Sequence, residues 1–165
     1  MFAKIISAIN QWMATISVVI IFIMMISISA DVALRFLADS PIVGVVELNR
    51  TLLVVVVFFT VGYAQVRKQH INVLFIIYKL SSRRQALIMA LNTILALVII
   101  ALITYGAIKT AYISTVEGEY EVGLLNYPIW PGRIAMAFGL LVLCFQYVSD
   151  IVSGVVSYLK GGEVR

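Results

Sequence analysis

Charge is the scarcest commodity in this sequence. Its 165 residues include 12 Lys or Arg and 8 Asp or Glu, so 12% are charged while 62% are hydrophobic. Soluble domains carry roughly twice that charged fraction, and disordered chains are more polar still. A chain this short has no core large enough to hide so much apolar surface, and the mean hydropathy is +1.06. These counts exclude a soluble domain and a disordered chain, and they define an integral membrane protein.

Other scarcities exclude chemistry. A single cysteine, Cys144, forms no intrachain disulfide, and a single histidine, His70, cannot supply bis-imidazole haem ligation. No glycine-rich phosphate loop, metal-ligand spacing, or serine or cysteine with a histidine base is present. No apolar span is broken midway by Gly or Pro, as discontinuous transporter helices often are. The sequence therefore argues against an enzyme, a bound cofactor, and a complete transporter built from this chain alone. The net charge of +4 does not point to nucleic acid. In a membrane protein the placement of positive charge carries more information than its sum.

What is present is long uncharged runs. Between Lys4 and Asp31 lie 26 residues without a formal charge, more than the roughly 20 that a spanning helix requires. The expected fold is an all-α integral membrane domain over 1–165, with four transmembrane helices at about 12–34, 43–66, 85–112 and 130–158. Trp12 anchors the first at an interface, and the Pro128–Pro131 segment reads as the start of the fourth, since proline is tolerated in a first helical turn. The first run is longer than the apolar core of a signal peptide, so it is read as a retained span.

The loops set the orientation. Arg67, Lys68, Lys79, Arg83 and Arg84 lie between spans two and three without one acid, and Lys4, Lys160 and Arg165 lie at the ends. The other two loops are poorer in positive charge. Positive-inside bias therefore predicts cytoplasmic N- and C-termini. Within the basic loop, Ile71, Leu74, Phe75 and Tyr78 recur at helical spacing. This predicts an amphipathic interfacial helix over 70–81, too short to span, whose basic flanks meet lipid headgroups.

Charges inside or beside spans are the candidate functional residues. Asp31 and Arg35 are four apart, and Glu47 and Arg50 three apart, so each pair shares a helical face near the outer interface. They read either as docking points or as a neutralised set that stabilises the helix pair, with Arg50 compensating Glu47. The acidic run Glu117-Gly-Glu-Tyr-Glu reads as solvated carboxylates. Small residues four apart at Thr60/Ala64, Ala107/Ala111, Ala135/Gly139 and Ser149/Ser153/Ser157 permit close helix contacts.

Several short motifs occur in a familiar order. Asp31-Val-Ala-Leu-Arg35-Phe is followed by Val46-Glu47-Leu-Asn-Arg50, Gly62, and Arg67-Lys-Gln-His70-Ile-Asn-Val73. Val122-Gly-Leu-Leu-Asn-Tyr-Pro128-Ile-Trp130-Pro and Gly139 come after them. Over roughly Gln11 to Tyr158 the chain resembles the small, DctQ-type membrane subunit of tripartite ATP-independent periplasmic (TRAP) transporters. It departs from the family's usual pattern at Leu74, where an acid is common, and at Gly44 and Val45, where an aromatic is common.

The resemblance implies a bacterial or archaeal inner-membrane complex with two partners. A large multi-span subunit carries substrate and sodium by an elevator-like movement, and a periplasmic binding protein delivers the substrate, often an organic acid. The small subunit braces that frame and binds no cofactor itself. On this reading Arg35, Glu47 and Arg50 contact the large subunit or the binding protein, while Arg67, Lys68, His70, Lys79, Arg83 and Arg84 meet the cytoplasmic interface and its lipids. Two rivals remain: a small homodimeric proton-coupled multidrug-type transporter using Glu47, and a non-transport assembly subunit of another membrane complex.

Overall fold

A computed structural model describes residues 2–67, 82–121 and 126–159. Four long helices make up nearly all of them: α1 (Phe2–Ala38), α2 (Val45–Val66), α3 (Ser82–Glu117) and α4 (Trp130–Leu159). All four are long and apolar enough to cross a membrane. The expected interfacial helix over 70–81 lies outside the described residues, together with Lys68, His70 and Lys79.

The helices run beyond the lengths the hydrocarbon demands. At about 1.5 Å per residue a 20-residue helix spans the bilayer core, yet α1 has 37 residues and α3 has 36. Serines and threonines do not interrupt the helices, and several of their hydroxyls bond back to a carbonyl of the preceding turn. Ser17 donates to Met13, Thr60 to Val56, Thr104 to Ile100 and Thr115 to Ala111. In lipid this is the cheapest way to satisfy a hydroxyl.

Helix α1 turns into α2 through Asp39, at φ 46°, and Gly44, at φ 90°. Both sit in the left-handed region, which glycine adopts freely and Asp tolerates better than most residues. The α3–α4 connection contains a feature absent from the sequence expectation. Tyr120–Glu121 (β1) and Tyr127–Pro128 (β2) pair antiparallel, Tyr120 opposite Pro128 and Glu121 opposite Tyr127. Pro128 is thus in a strand, and only Pro131 lies in the first turn of α4. The ladder is compatible with Pro128 because an edge position needs no N–H from it.

Helices α1, α2 and α4 pack mutually, and α3 lies on the far side of α4. The α3–α4 seam is built from small residues on one side and larger ones on the other. Ala107 and Ala111 are buried against Ala137, Leu140, Leu143 and Tyr147. Thr104 meets Cys144 at 3.3 Å. The α2–α4 seam is tighter: Gly139 lies so close to Phe58 that an added Cβ would stand 2.8 Å from its carbonyl carbon.

Candidate functional site

Most of the polar ties between helices among the described residues gather at two levels of the bundle. At one end the ties are ionic. Asp31 is 5% exposed. Its Oδ2 accepts from Arg35 at 2.7 Å, and its Oδ1 accepts the backbone N–H of Ile42 at 2.7 Å. One carboxylate therefore neutralises its own helix end and holds the turn into α2. One turn into α2, Asn49 is buried and donates from Nδ2 to Ser27 of α1 at 3.0 Å and to the Val45 carbonyl at 2.7 Å.

Arg50 departs from expectation. It does not compensate Glu47; it pairs with Glu121 on β1. The partner three residues away lost to one far along the chain because the β ladder carries Glu121 over the end of α2. Arg133, in the first turns of α4, pairs likewise with Glu119. The acidic run expected to be solvated is instead a strap, clasping α2 and α4 through two arginines. Beneath it lies an open cleft of about 360 Å³ lined by Thr51, Val54, Gly132 and Met136. Glu47 is left half-buried, with no partner among the described residues. It shares with Arg35, Asp39 and Pro41 the wall of a second open groove at the α1–α2 turn.

At the other end the ties are amide–carboxylate. Asn10 is fully buried and donates to the Ile6 carbonyl at 3.1 Å and to Gln146 Oε1 at 3.2 Å. Gln146 Nε2 donates to Asp150 Oδ1, and Gln65 Nε2 donates to Asp150 Oδ2, both at 2.9 Å. This chain crosses α1, α4 and α2. It exists because Gly62 has no side chain, since any Cβ there would overlap Asn10 Oδ1. Just beyond, Arg67 ends α2, its guanidinium 5.3 Å from the Tyr63 ring centroid and its Nε donating to the Tyr63 hydroxyl at 2.9 Å.

The sequence profile of the DctQ component of tripartite ATP-independent periplasmic transporters matches residues 24–156. The chain belongs to the DctQ family. No curated protein gives a significant match. The family is a transporter component rather than an enzyme family, and it works in general with a large membrane subunit and a periplasmic binding protein.

The matched region of this DctQ chain contains the whole ionic level and most of the amide level, while Asn10 precedes it. Of the residues singled out in the sequence, Arg35, Glu47 and Arg50 stand at one end of the bundle, but Arg35 and Arg50 are already engaged with Asp31 and Glu121. Arg67 stands at the opposite end. Arg83 and Arg84 lie in the first turn of α3, with their side chains outside the described residues. The amide level was missed as a site. Its signal was available: Gln146 and Asp150 are four apart in an apolar helix, which places two costly polar groups on one face.

The strap is testable by charge exchange. Arg50→Glu sets two acids together and should loosen the end of α2, whereas Arg50→Glu with Glu121→Arg should restore it. Arg50 is largely exposed, so the interaction is worth about 1 kcal/mol or less. The coupling is to be measured as a double-mutant cycle on thermal stability in detergent. Equal stability of the single and double variants would show that the strap holds nothing.

Proposed function

We propose that this small permease subunit serves as a stationary brace for the large subunit of its transporter. The large subunit takes up an organic acid, delivered by the periplasmic binding protein, with a sodium gradient driving an elevator-like movement. The chain spans the membrane four times with both termini in the cytoplasm, and contributes no cofactor, metal or substrate contact of its own. Arg35, Glu47 and Arg50 face the periplasm, where they meet the large subunit or the binding protein. Arg67, Lys68, His70, Lys79, Arg83 and Arg84 lie along the cytoplasmic lipid interface.

The observation that carries this reading is the cross-tying of α1, α2 and α4 at both ends. A brace must resist shear between its helices, and buried polar ties at two depths fix their mutual height in a way that apolar packing alone does not. The test is reconstitution. Liposomes with the large subunit, this chain and the binding protein should accumulate substrate under an inward sodium gradient, and liposomes lacking any one should not. Full uptake without this chain would overturn the reading.

One observation favours a second reading. Because Arg50 is engaged by Glu121, Glu47 is free of a counter-ion among the described residues, as the acid of a self-sufficient proton-coupled exchanger must be. Its place in the first turn of α2 argues against that role, since a proton-exchanging acid works best deep in the membrane. Purified chain alone in liposomes should transport nothing, whether it carries Glu47 or Glu47→Gln. Proton-driven efflux by the chain alone, abolished by Glu47→Gln, would establish the exchanger instead.

A further inference from the structure

Helix α3 has a second face that the bundle does not use. Its buried residues Thr104, Ala107, Ala111 and Ser114 turn toward α4. On the opposite side Leu95, Val98, Leu102, Tyr105, Lys109 and Tyr112 follow one another at alternating steps of three and four. That is the repeat of a helix–helix seam. Leu102, Tyr105 and Tyr112 are 68%, 71% and 70% exposed.

Apolar exposure alone would fit lipid, but Tyr105 does not. Tyr105 lies 21 residues from Arg84, about 31 Å along the helix, and 12 from Glu117, about 18 Å. The contact between Thr104 and Cys144 gives a second ruler. Cys144 is 11 residues into the membrane from Arg133, which places Tyr105 about 15 Å below the ion-paired strap. Side chains on a helix lean toward its N-terminus, which for α3 is away from the strap. The phenolic hydroxyl has no hydrogen-bond partner among the described residues. Acyl chains offer none, and headgroups lie out of reach, so a lipid-facing Tyr105 would carry an unsatisfied donor in hydrocarbon.

Lys109 lies one turn nearer the strap on the same face, exposed and without an ion pair among the described residues. It also discriminates between occupants. A second copy of this chain, related by a twofold axis along the membrane normal, would bring Lys109 to the same depth as its counterpart and set like charges together.

We infer that this outer face of α3 docks a membrane-spanning helix of a different protein, one that offers a hydrogen-bond acceptor at the depth of Tyr105 and a carboxylate near Lys109. Resting on the function proposed above, that protein is the large subunit of the transporter. Tyr105 and Lys109 then fix the height at which the two subunits meet, and the leucines supply the close packing.

The test places a photoreactive benzoylphenylalanine at Leu102 and, as a control, at Phe22 on the outward side of α1. Each variant is irradiated in membranes that also contain the large subunit. Position 102 should give an adduct of the combined mass and position 22 should not. In the same membranes Tyr105→Phe and Lys109→Glu should each reduce the large subunit co-purifying with this chain, by roughly three- to tenfold, while Lys109→Arg retains it. Unchanged heat-induced exposure of Cys144 to a thiol dye shows that each variant is folded. A crosslink from position 22 alone, a self-adduct from position 102, or undiminished co-purification of both variants overturns the inference. Failure of the wild-type chain to co-purify with the large subunit overturns the proposed function. In that event, an adduct from position 102 to another identified multi-span protein sustains the docking face, and its absence removes that too.

Discussion

Gly139→Ala should destabilise the bundle more than any other single added methyl group. The Cβ it introduces would overlap the Phe58 carbonyl oxygen, stand 2.8 Å from its carbon and 2.9 Å from the Phe58 Cβ. None of these atoms can swing away as a side-chain tip would, because two belong to the α2 backbone. Relief requires α2 and α4 to separate by several tenths of an ångström along a seam bridged by the Gln65–Asp150 bond at one end and capped at the other by the strap, which pairs with Arg50 and Arg133. Overpacking of this kind costs about 1–3 kcal/mol, and Gly139→Val should exceed it. Gly106 provides the control, since a Cβ there meets nothing within 4 Å. Cys144, the chain's single cysteine, provides the measurement. It is partly buried against Thr104, so a thiol-reactive dye reports its exposure on heating. Gly139→Ala should lower the midpoint by several degrees and Gly106→Ala should leave it within about one degree. Equal midpoints would mean that the close α2–α4 approach contributes nothing.

The contrast between those two glycines shows how far the sequence could be read. Uncharged run lengths were enough to count the helices, because a 20-residue apolar requirement is a strong constraint. Ala107/Ala111 and Ala135/Gly139 are recognisable as contact-permitting spacings, and all four residues have little or no side chain. What spacing could not say was which neighbour comes close: Ala107 and Ala111 meet α4, whereas Gly139 meets α2. The charge pairs expose the same limit. Asp31 and Arg35 were legible as an i, i+4 pair and form one. Glu47 and Arg50 looked equivalent, yet Arg50 belongs to Glu121, 71 residues later, because a two-residue ladder that no local pattern announced folds back over α2. Local periodicity carries contacts within a helix; contacts between helices depend on rotation and height, which it does not encode. The amide level illustrates the cost of judging residues singly. Asn10, Gln65, Gln146 and Asp150 are each unremarkable near a span end, and only the packing of three helices makes them one network.

That network should make Asp150 the most consequential polar residue in the chain. Its two carboxylate oxygens accept one amide each, from Gln146 on its own helix and from Gln65 on α2. Asp150→Leu removes both acceptors and leaves the amide N–H groups of buried Gln146 and half-buried Gln65 facing a methyl surface. An unsatisfied buried donor costs about 1–3 kcal/mol, so the loss should reach about 2–5 kcal/mol. Asp150→Asn keeps one carbonyl oxygen but turns an NH₂ toward the other glutamine, and should cost about 1 kcal/mol. Gln65→Leu in the Asp150→Leu background should add little, because its partner is already gone. This non-additivity separates a network from four independent residues. Gly62→Ala, on α2, reaches the same network through α1: its Cβ displaces Asn10 from Gln146 without touching any charge. The Cys144 dye midpoint again provides the measurement, and the order Asp150→Leu, Gly62→Ala, Asp150→Asn, from most to least destabilising, is the expected result. If Asp150→Leu were neutral or stabilising, replacing polar ties with apolar packing would be tolerated at this depth, and the height of α1, α2 and α4 would be fixed by the glycine seam alone.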